Sequence, residues 1–296
     1  MKHSLTYYIT LFVLRLKGIK KQFSQDPIDY QKVRKEDVHT PKSSFFRSER
    51  VRRFQIADSN ITEVKANNEA KKLILFMHGG AFISGPAKHH WDTLKTIYEK
   101  TSSTIWMCDY PKAPEHQIDA ITQNIDRIYQ QALEQFPSDK IILLGDSVGG
   151  NLILTLIQRL VKSNGEIPKK IILVSPILDA SFENSAIDEL EVNDPILSKK
   201  GVLSAKKMAA GNRSLKDPII SPLYGSFEGF PETIMYLAGN DISYPDQRLG
   251  EEKLRQMETK LTVKVGEGMP HIWPFLPVMK EAKESLLEII DEILEE

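Results

Sequence analysis

One short stretch of the sequence places a nucleophilic side chain where strand and helix signals meet. Ser147 is the centre of Gly-Asp-Ser-Val-Gly at residues 145–149, between an apolar run and a segment with apolar residues at helical spacing. Gly-x-Ser-x-Gly between a strand and a helix is typical of a nucleophile elbow, a strained turn that presents the serine hydroxyl at a sheet edge. Gly145 and Gly149 fit this turn because a Cβ at either position would collide with the other side of the turn.

A serine nucleophile needs a general base, and the base needs an acid that orients it. In this strand–turn–helix context the partners follow in the order serine, acid, histidine. His271 is the only one of the seven histidines that comes after Ser147. Asp241 follows an apolar strand pattern at 233–237, whereas its rival Asp246 begins a helix and resembles a cap residue. The sequence therefore predicts Ser147, His271 and Asp241 as nucleophile, base and orienting acid.

A third chemical feature is His-Gly-Gly-Ala at residues 78–81, directly after an apolar strand pattern. Small residues let the backbone curl so that its N–H groups face the oxygen of a bound carbonyl group. We expect Gly79, Gly80 or Ala81, together with the N–H of Val148, to form an oxyanion hole. His78 precedes the elbow in the chain, so it is expected to brace this loop rather than to act as the base.

Short apolar strand patterns alternate with helical patterns through most of the chain, which predicts a mostly parallel sheet with helices on both faces. The last helix is expected over 277–294, with Leu286, Leu287, Ile290 and Leu294 on one face. The alternation stops at about 180–228, and we interpret this stretch as an insertion that forms a cap over the site. The other predicted strands and helices lie at 51–57, 61–65, 73–77, 86–101, 104–108, 118–134, 141–144, 171–174, 246–258 and 261–265.

The composition restricts the kinds of partner. The net charge of −1 indicates no general affinity for nucleic acid. No histidine or cysteine cluster has metal-ligand spacing and no glycine-rich phosphate loop is present, so neither a metal site nor a nucleotide site is predicted. The single cysteine, Cys108, excludes an internal disulfide and fits a reducing compartment, so we expect a cytoplasmic protein.

The first residues are apolar from 5 to 16 and then basic through Lys21. This stretch is too short and too interrupted to span a bilayer, and no cleavage site of a signal peptide follows it. Residues 1–53 hold 13 Lys and Arg against 5 Asp and Glu. We expect an amphipathic helix that packs on the protein, with weak contact to a lipid surface as the alternative.

Taken together, these motifs resemble the hormone-sensitive-lipase-like branch of the α/β-hydrolase esterases over about residues 70–285. Two positions depart from the pattern of the family: Ala81 stands where a third glycine is common, and Val148 follows the nucleophile where alanine is common. The motifs that carry the resemblance are His78-Gly-Gly-Ala81, Tyr110-Pro-Lys-Ala-Pro-Glu-His116, Gly145-Asp-Ser-Val-Gly-Gly150, Ser175-Pro-Ile-Leu-Asp179, the stretch from Asp217 to Ser221-Pro-Leu223, Gly239-Asn-Asp241 and His271.

The resemblance implies a carboxylic ester hydrolase without a cofactor. It also implies a helical cap built from the N-terminal segment, residues 1–50, and the insertion, while residues 51–296 form the catalytic α/β-hydrolase domain. We expect small to medium acyl esters as substrates, cleaved in two steps through an acyl-enzyme. Candidate walls of the substrate pocket, each also compatible with an ordinary core position, are Phe82, Trp91, Phe182 and Trp273.

Two alternatives remain open at this point. The same groups could cleave an activated amide, as in formamidase-like relatives, or the pocket could bind a ligand without turning it over. The presence of all three candidate catalytic residues favours an enzyme over a receptor. The sequence does not decide between a monomer and a homo-oligomer.

Overall fold

Eight strands form one sheet at the centre of the protein, in the order β1-β2-β4-β3-β5-β6-β7-β8. The computed structural model describes residues 3–66 and 72–295. The strands are β1 (Val51–Ile56), β2 (Ser59–Val64), β3 (Leu73–Met77), β4 (Thr104–Asp109), β5 (Ile141–Asp146), β6 (Lys170–Val174), β7 (Glu232–Ala238) and β8 (Leu261–Gly266). The helices are α1 (Leu5–Leu16), α2 (Ile19–Gln22), α3 (Tyr30–Val33), α4 (Lys88–Thr101), α5 (Ile118–Leu133), α6 (Val148–Lys162), α7 (Ala186–Glu191), α8 (Lys199–Ala210), α9 (Tyr244–Arg255) and α10 (Lys280–Leu294).

In the order of the sheet, the strands are parallel from β4 to β8, and β2 runs antiparallel to both of its neighbours, β1 and β4. Every residue of β3 and β5 is buried, as expected for strands that are covered by helices on both faces. This arrangement confirms the predicted fold class, a mostly parallel α/β sheet flanked by helices.

The direction in which the chain adds strands reverses at β3, which lies between β4 and β5. In open α/β sheets, ligands bind where the strand order reverses, outside the carboxyl ends of the strands. Met77 pairs with Gly145 at that end, so the loop after β3 and the turn after β5 leave the sheet side by side. The two motifs at 78–81 and 145–149 are therefore neighbours in space.

The insertion and the N-terminal segment pack against each other. The backbone N–H of Ile28 donates a 2.9 Å hydrogen bond to Ser204 Oγ in α8. Gly201 of the same helix lies so close to Phe23 that a Cβ would meet its carbonyl oxygen at 1.7 Å. Lys20 Nζ also donates to the carbonyl oxygen of Glu191 at the end of α7. Two segments far apart in the sequence therefore form one helical layer.

The predicted face of the last helix was right for Ile290, which is buried, and for Leu286, which packs against the core, but wrong for Leu287 and Leu294. Helix α10 begins at Lys280, and Leu287 and Leu294 are each 49% exposed. The buried stripe begins with two small residues, Ala282 and Ser285, which a search for large apolar residues overlooks. The buried face is therefore rotated around the helix relative to the predicted one. Its members are Ala282, Ser285, Ile289, Ile290 and Ile293.

Helix α1 forms where the apolar N-terminal run predicts it, with Ser4 as its N-cap. Its inner face packs on the protein through Tyr7 and Leu14, and Tyr7 Oη donates a 2.8 Å hydrogen bond to the carbonyl oxygen of Gly268. Among the described residues, no helix combines the length and the apolar character that a membrane crossing requires.

Candidate active site

Ser147 occupies a strained turn between β5 and α6, with φ 52° and ψ −119°. Non-glycine residues seldom adopt such a conformation, and it persists only where the surroundings hold it. Here the Ser147 N–H donates to the carbonyl oxygen of Val174 at 2.9 Å, and its own carbonyl accepts from Ile177 at 3.1 Å. A Cβ on Gly149 would lie 1.9 Å from the carbonyl oxygen of Met77, so the turn requires a glycine there.

The imidazole of His271 and the carboxylate of Asp241 meet at a neighbouring edge of the sheet. Ala238 of β7 pairs with Gly266 of β8, which brings the loops that follow the two strands together. His271 Nδ1 and Asp241 Oδ2 are 2.6 Å apart, and both side chains are buried. Ser243 donates to Asp241 Oδ1 from its backbone N–H and its hydroxyl, at 2.8 and 2.6 Å, so the carboxylate is fixed from both sides.

The electrostatics of this pair suit a base and its orienting acid. Burial disfavours the charged imidazole, but the carboxylate of Asp241 outweighs burial and raises the pKa of His271 above its ordinary value of 6.5. Burial also opposes ionisation of Asp241, but the charge and hydrogen bond of His271 hold the pKa of Asp241 below its ordinary value. The pair therefore favours a charged carboxylate beside a ring that can accept a proton.

The rival carboxylate lies elsewhere. Asp246 is in the first turn of α9, where its Oδ1 accepts a 2.9 Å hydrogen bond from Asn184. Burial is the main reason that its pKa rises to about 6. Ser243, not Asp246, is the residue that precedes this helix as its cap.

Ser175 connects the turn of Ser147 to the loop of His271. It directly follows Val174, whose carbonyl accepts from Ser147, and its hydroxyl accepts a 3.0 Å hydrogen bond from the N–H of Ile272. Within the described part of the chain, no hydrogen bond joins Ser147 Oγ to His271. Such bonds are often long without substrate and tighten in the complex.

The loop after β3 turns through three consecutive residues with positive φ: Gly80 at 125°, Ala81 at 55° and Phe82 at 65°. The N–H of Gly79 donates a 3.0 Å hydrogen bond to Asp146 Oδ1, so it is not available to a substrate. This corrects the set of candidate oxyanion donors. The N–H groups of Gly80, Ala81 and Val148 donate no hydrogen bond within the described ranges, and they remain candidates.

His78 contacts this loop from inside the protein. Its Nδ1 lies 2.6 Å from the carbonyl oxygen of Gly79, and its ring stacks on Tyr110 with 4.4 Å between the centroids. Tyr110 Oη in turn donates to the carbonyl oxygen of His78 at 2.6 Å. Complete burial keeps the pKa of His78 far below its ordinary value, so the ring is neutral.

Sequence reasoning missed the partners of Asp146, the second residue of the elbow motif. His90 Nε2 lies 3.2 Å from Asp146 Oδ1, and both side chains are buried. The backbone N–H of Ala87 donates to His90 Nδ1 at 2.8 Å, which leaves the ring proton on Nε2, facing the carboxylate. Asp146 thus ties the loop after β3 to helix α4 and to the nucleophile turn.

His89, His90 and Asp146 bring three potential ligand atoms within 4.8 Å of one another. With the proton of His90 on Nε2, that nitrogen has no lone pair for a cation. This tautomer does not fit a metal centre.

Sequence reasoning also missed Asp194. The sequence shows that this residue belongs to the insertion but does not show that it lies near the site. Its Oδ2 accepts a 3.0 Å hydrogen bond from the N–H of Ile242, the residue after Asp241. Burial, followed by the negative charge of Asp241, raises the pKa of Asp194 to about 6. No local sequence signal marks Asp194, because its contact with Ile242 joins two segments that are distant in the sequence.

The four candidate pocket walls have different surroundings. Trp91 donates from Nε1 to the carbonyl oxygen of Val38 at 2.6 Å, so it ties α4 to the N-terminal segment. Trp273 follows the His271 loop and packs edge-on against Tyr236. Phe182 and Phe82 are almost completely buried, and Phe82 continues the loop after β3.

A family model described as the alpha/beta hydrolase fold matches residues 74–275, which is more than half of the chain. The chain belongs to the α/β-hydrolase family. The match spans the six parallel strands from β3 through β8, apart from Leu73 at the start of β3, and it includes Ser147, Asp241 and His271.

Individual relatives narrow the place of this α/β-hydrolase within the family. An esterase of Acinetobacter venetianus is 31% identical over 244 residues, which are 81% of this chain and 80% of the relative. The carboxylesterase/phospholipase LipF of Mycobacterium tuberculosis is 26% identical over 76% of this chain and 62% of its own length. A crystal structure of an esterase from the bacterial hormone-sensitive lipase family covers 99% of each chain with a TM-score of 0.86, at 21% identity. At that identity the crystal structure shows a shared fold, and the sequence relatives support an enzyme of the hydrolase class for this α/β-hydrolase.

Proposed function

We propose that this protein is a carboxylic ester hydrolase that cleaves small to medium acyl esters through Ser147, His271 and Asp241. The observation that carries the proposal is the 2.6 Å contact between His271 Nδ1 and Asp241 Oδ2. It lies at the same end of the sheet as the strained turn of Ser147. A serine, a base and an orienting acid at one sheet edge are the groups that acyl transfer requires.

In the proposed mechanism, Ser147 Oγ attacks the ester carbonyl carbon while His271 Nε2 takes the hydroxyl proton. The N–H groups of Gly80, Ala81 and Val148 stabilise the resulting oxyanion. When the intermediate collapses, His271 gives its proton to the departing alcohol and an acyl-enzyme remains. Water then attacks the acyl group, again losing a proton to His271, and the acid leaves as Ser147 regains its proton.

We propose the helical layer of the N-terminal segment and the insertion as the cap of this site. Ser147, His271 and Asp241 are 9%, 3% and 0% exposed, so access to the nucleophile is narrow. Narrow access supports small to medium acyl groups over long chains presented by a lipid droplet. It also requires that the cap yields when substrate enters.

A panel of p-nitrophenyl esters from acetyl to dodecanoyl tests the substrate size. We expect kcat/KM to be highest for the short and medium acyl groups, and to fall at the longest chains because they do not fit beneath the cap. The matching p-nitroanilides serve as the control for amide cleavage. A maximum at the longest chain would contradict the proposed size, and faster turnover of the anilides would favour an amidase.

We also propose that the outer face of α1 makes weak contact with an anionic lipid surface. Apolar side chains at helical spacing are exposed along this face, with Leu5 at 76%, Phe12 at 62% and Leu16 at 70%. Residues 3–25 contain Arg15 and three lysines and no acidic residue. An apolar stripe beside basic side chains is the pattern of a helix that lies in a membrane interface. A second copy of the chain is a poorer partner, because it would bring two basic faces together.

Flotation with vesicles tests this contact. Phosphatidylcholine vesicles that contain phosphatidylserine are expected to carry the protein upward at low salt, and less of it at high salt. Replacing Tyr8 and Phe12, two exposed residues of α1, by serine should remove the binding. Leu249→Ser, which changes an exposed leucine on α9, should not. Equal binding by the variant, or a concentration-dependent dimer lost in the variant, would contradict lipid contact.

The assembly and location of the protein remain predictions. A homo-oligomer that forms through another surface would be detected by light scattering of the purified protein. The expected cytoplasmic location depends on Cys108, a free and buried thiol.

A further inference from the structure

A buried amine in the cap has no role in the proposed mechanism. Lys206 lies on helix α8, and its side chain is fully buried. Among the residues that the structure describes, none forms a hydrogen bond or ion pair with its Nζ. A buried lysine without a hydrogen-bonding or charged partner is rare, because removing the ammonium group from water is strongly unfavourable.

The position of Lys206 connects the cap to the catalytic loop. Its Nζ lies 4.4 Å from the centroid of the Phe82 ring. Phe82 directly follows Ala81, whose N–H is a candidate oxyanion donor, and both residues have positive φ. Ser204, two positions earlier on α8, instead accepts its hydrogen bond from the N-terminal segment. The amine therefore lies on the face of α8 that is directed toward the loop beside the nucleophile.

The state of the amine follows from its surroundings. Burial holds the pKa of Lys206 well below its ordinary value, and no charged neighbour contributes to this shift. The free protein therefore carries an amine whose charged form is disfavoured by burial and whose hydrogen-bonding capacity is unsatisfied, which is unfavourable. A ligand that offers an anionic acceptor would remove this cost, because it allows the amine to take up a proton and form a short charge-assisted bond.

We propose that Lys206 is a specificity-determining residue that binds a carboxylate on the ester substrate. The substrate class is then an ester that carries a negative charge on its acyl or its alcohol half, such as the half-ester of a dicarboxylic acid. This inference rests on the proposed ester hydrolysis and names the substrate for the same site. Within residues 3–66 and 72–295, no acidic side chain contributes to the electrostatic surroundings of the amine, so none of them competes with the anion for it.

Two matched pairs of esters test the proposal with Lys206→Met, which keeps the length of the side chain and removes the amine. The acyl pair is p-nitrophenyl hemiglutarate against p-nitrophenyl pentanoate. The alcohol pair is para-carboxyphenyl acetate against para-tolyl acetate. We expect Lys206→Met to lower kcat/KM for the charged member of one pair by about 10- to 100-fold and to leave both neutral esters within about threefold. The pair that responds identifies the half of the ester that carries the charge.

The control variant is Lys207→Met, which removes an exposed lysine from the same helix and should change neither pair. Thermal unfolding separates binding from structure, because Lys206→Met removes an unpaired buried amine and should unfold at the same or a higher temperature. An equal loss on charged and neutral esters, or a lower unfolding temperature with that loss, would assign Lys206 a structural role and overturn the proposal.

A binding measurement distinguishes failure of this inference from failure of the proposed function. Calorimetry of Ser147→Ala with monoethyl glutarate, in two buffers of different ionisation enthalpy, should show binding that is accompanied by proton uptake. The uptake should be absent in the double variant with Lys206→Met. Turnover of neutral esters without any preference or proton uptake would overturn the anion site alone, whereas proton uptake without any turnover would overturn the esterase and leave the anion site.

Discussion

Replacing Ser147 by alanine should lower kcat/KM on p-nitrophenyl butyrate by roughly 10⁴- to 10⁶-fold. The hydroxyl is the nucleophile of the first step in the proposed mechanism. Without it, the site can accelerate direct attack by water only through substrate binding and stabilisation of the oxyanion. The variant should remain folded, because alanine keeps the Cβ of the strained turn and Ser147 Oγ makes no hydrogen bond within the described residues. The change is measured by initial rates on purified protein.

Ser163→Ala is the matched control for this loss. Ser163 lies at the far end of α6, where its hydroxyl donates to the carbonyl oxygen of Arg159 at 2.9 Å. Its removal should leave kcat/KM unchanged within about twofold, since surface changes away from the site have small effects. Turnover by Ser147→Ala at the rate of the unaltered protein would contradict the assignment of the nucleophile.

The second large effect is expected for Asp241→Asn, which should lower kcat/KM at neutral pH by about 10³- to 10⁴-fold. The amide can no longer hold the imidazole in the tautomer that accepts a proton at Nε2, and it does not stabilise the imidazolium. Asp246→Asn is the control of the same chemistry, since Asp246 contacts Asn184 instead of His271. It should keep kcat/KM within a few-fold of the unaltered protein.

The pH profile provides a second readout for the same variant. The base acts in its neutral form, so kcat/KM should rise with pH as His271 loses its proton. Because Asp241 raises the pKa of His271, the midpoint of this rise should lie above 6.5 in the unaltered protein. In Asp241→Asn the charge is gone, so the midpoint of the residual activity should move to lower pH. A midpoint that does not move, together with a small loss of rate, would contradict the role given to Asp241.

Much of the site could be predicted because its parts obey local rules. One sequence is enough to find the elbow motif, the single histidine after it and the carboxylate that follows β7, because each of them lies at or just after the end of a strand. The parallel sheet follows from short apolar strands, such as β3 and β5, that are buried on both faces. Chain order therefore indicates which side chains reach the same sheet edge.

What the sequence could not supply are contacts between distant segments. Gly79 has the residue type of an oxyanion donor, yet its N–H is taken by Asp146, which a motif cannot reveal. The partner of Asp146 is His90, and the neighbour of Asp241 is Asp194, each brought there by folding. In the sequence, Lys206 has the pattern of an ordinary charged residue on a helix. Only its buried position beside Phe82 in the structure distinguishes it from the exposed lysines.

The most direct measurement is the mass of the covalent adduct formed with an alkyl fluorophosphonate, a reagent that traps an activated serine. We expect one adduct per chain, located by peptide mapping at Ser147, absent in Ser147→Ala and formed much more slowly in His271→Ala. An adduct on another residue, or full esterase activity in protein whose Ser147 is completely modified, would contradict the proposed catalytic serine.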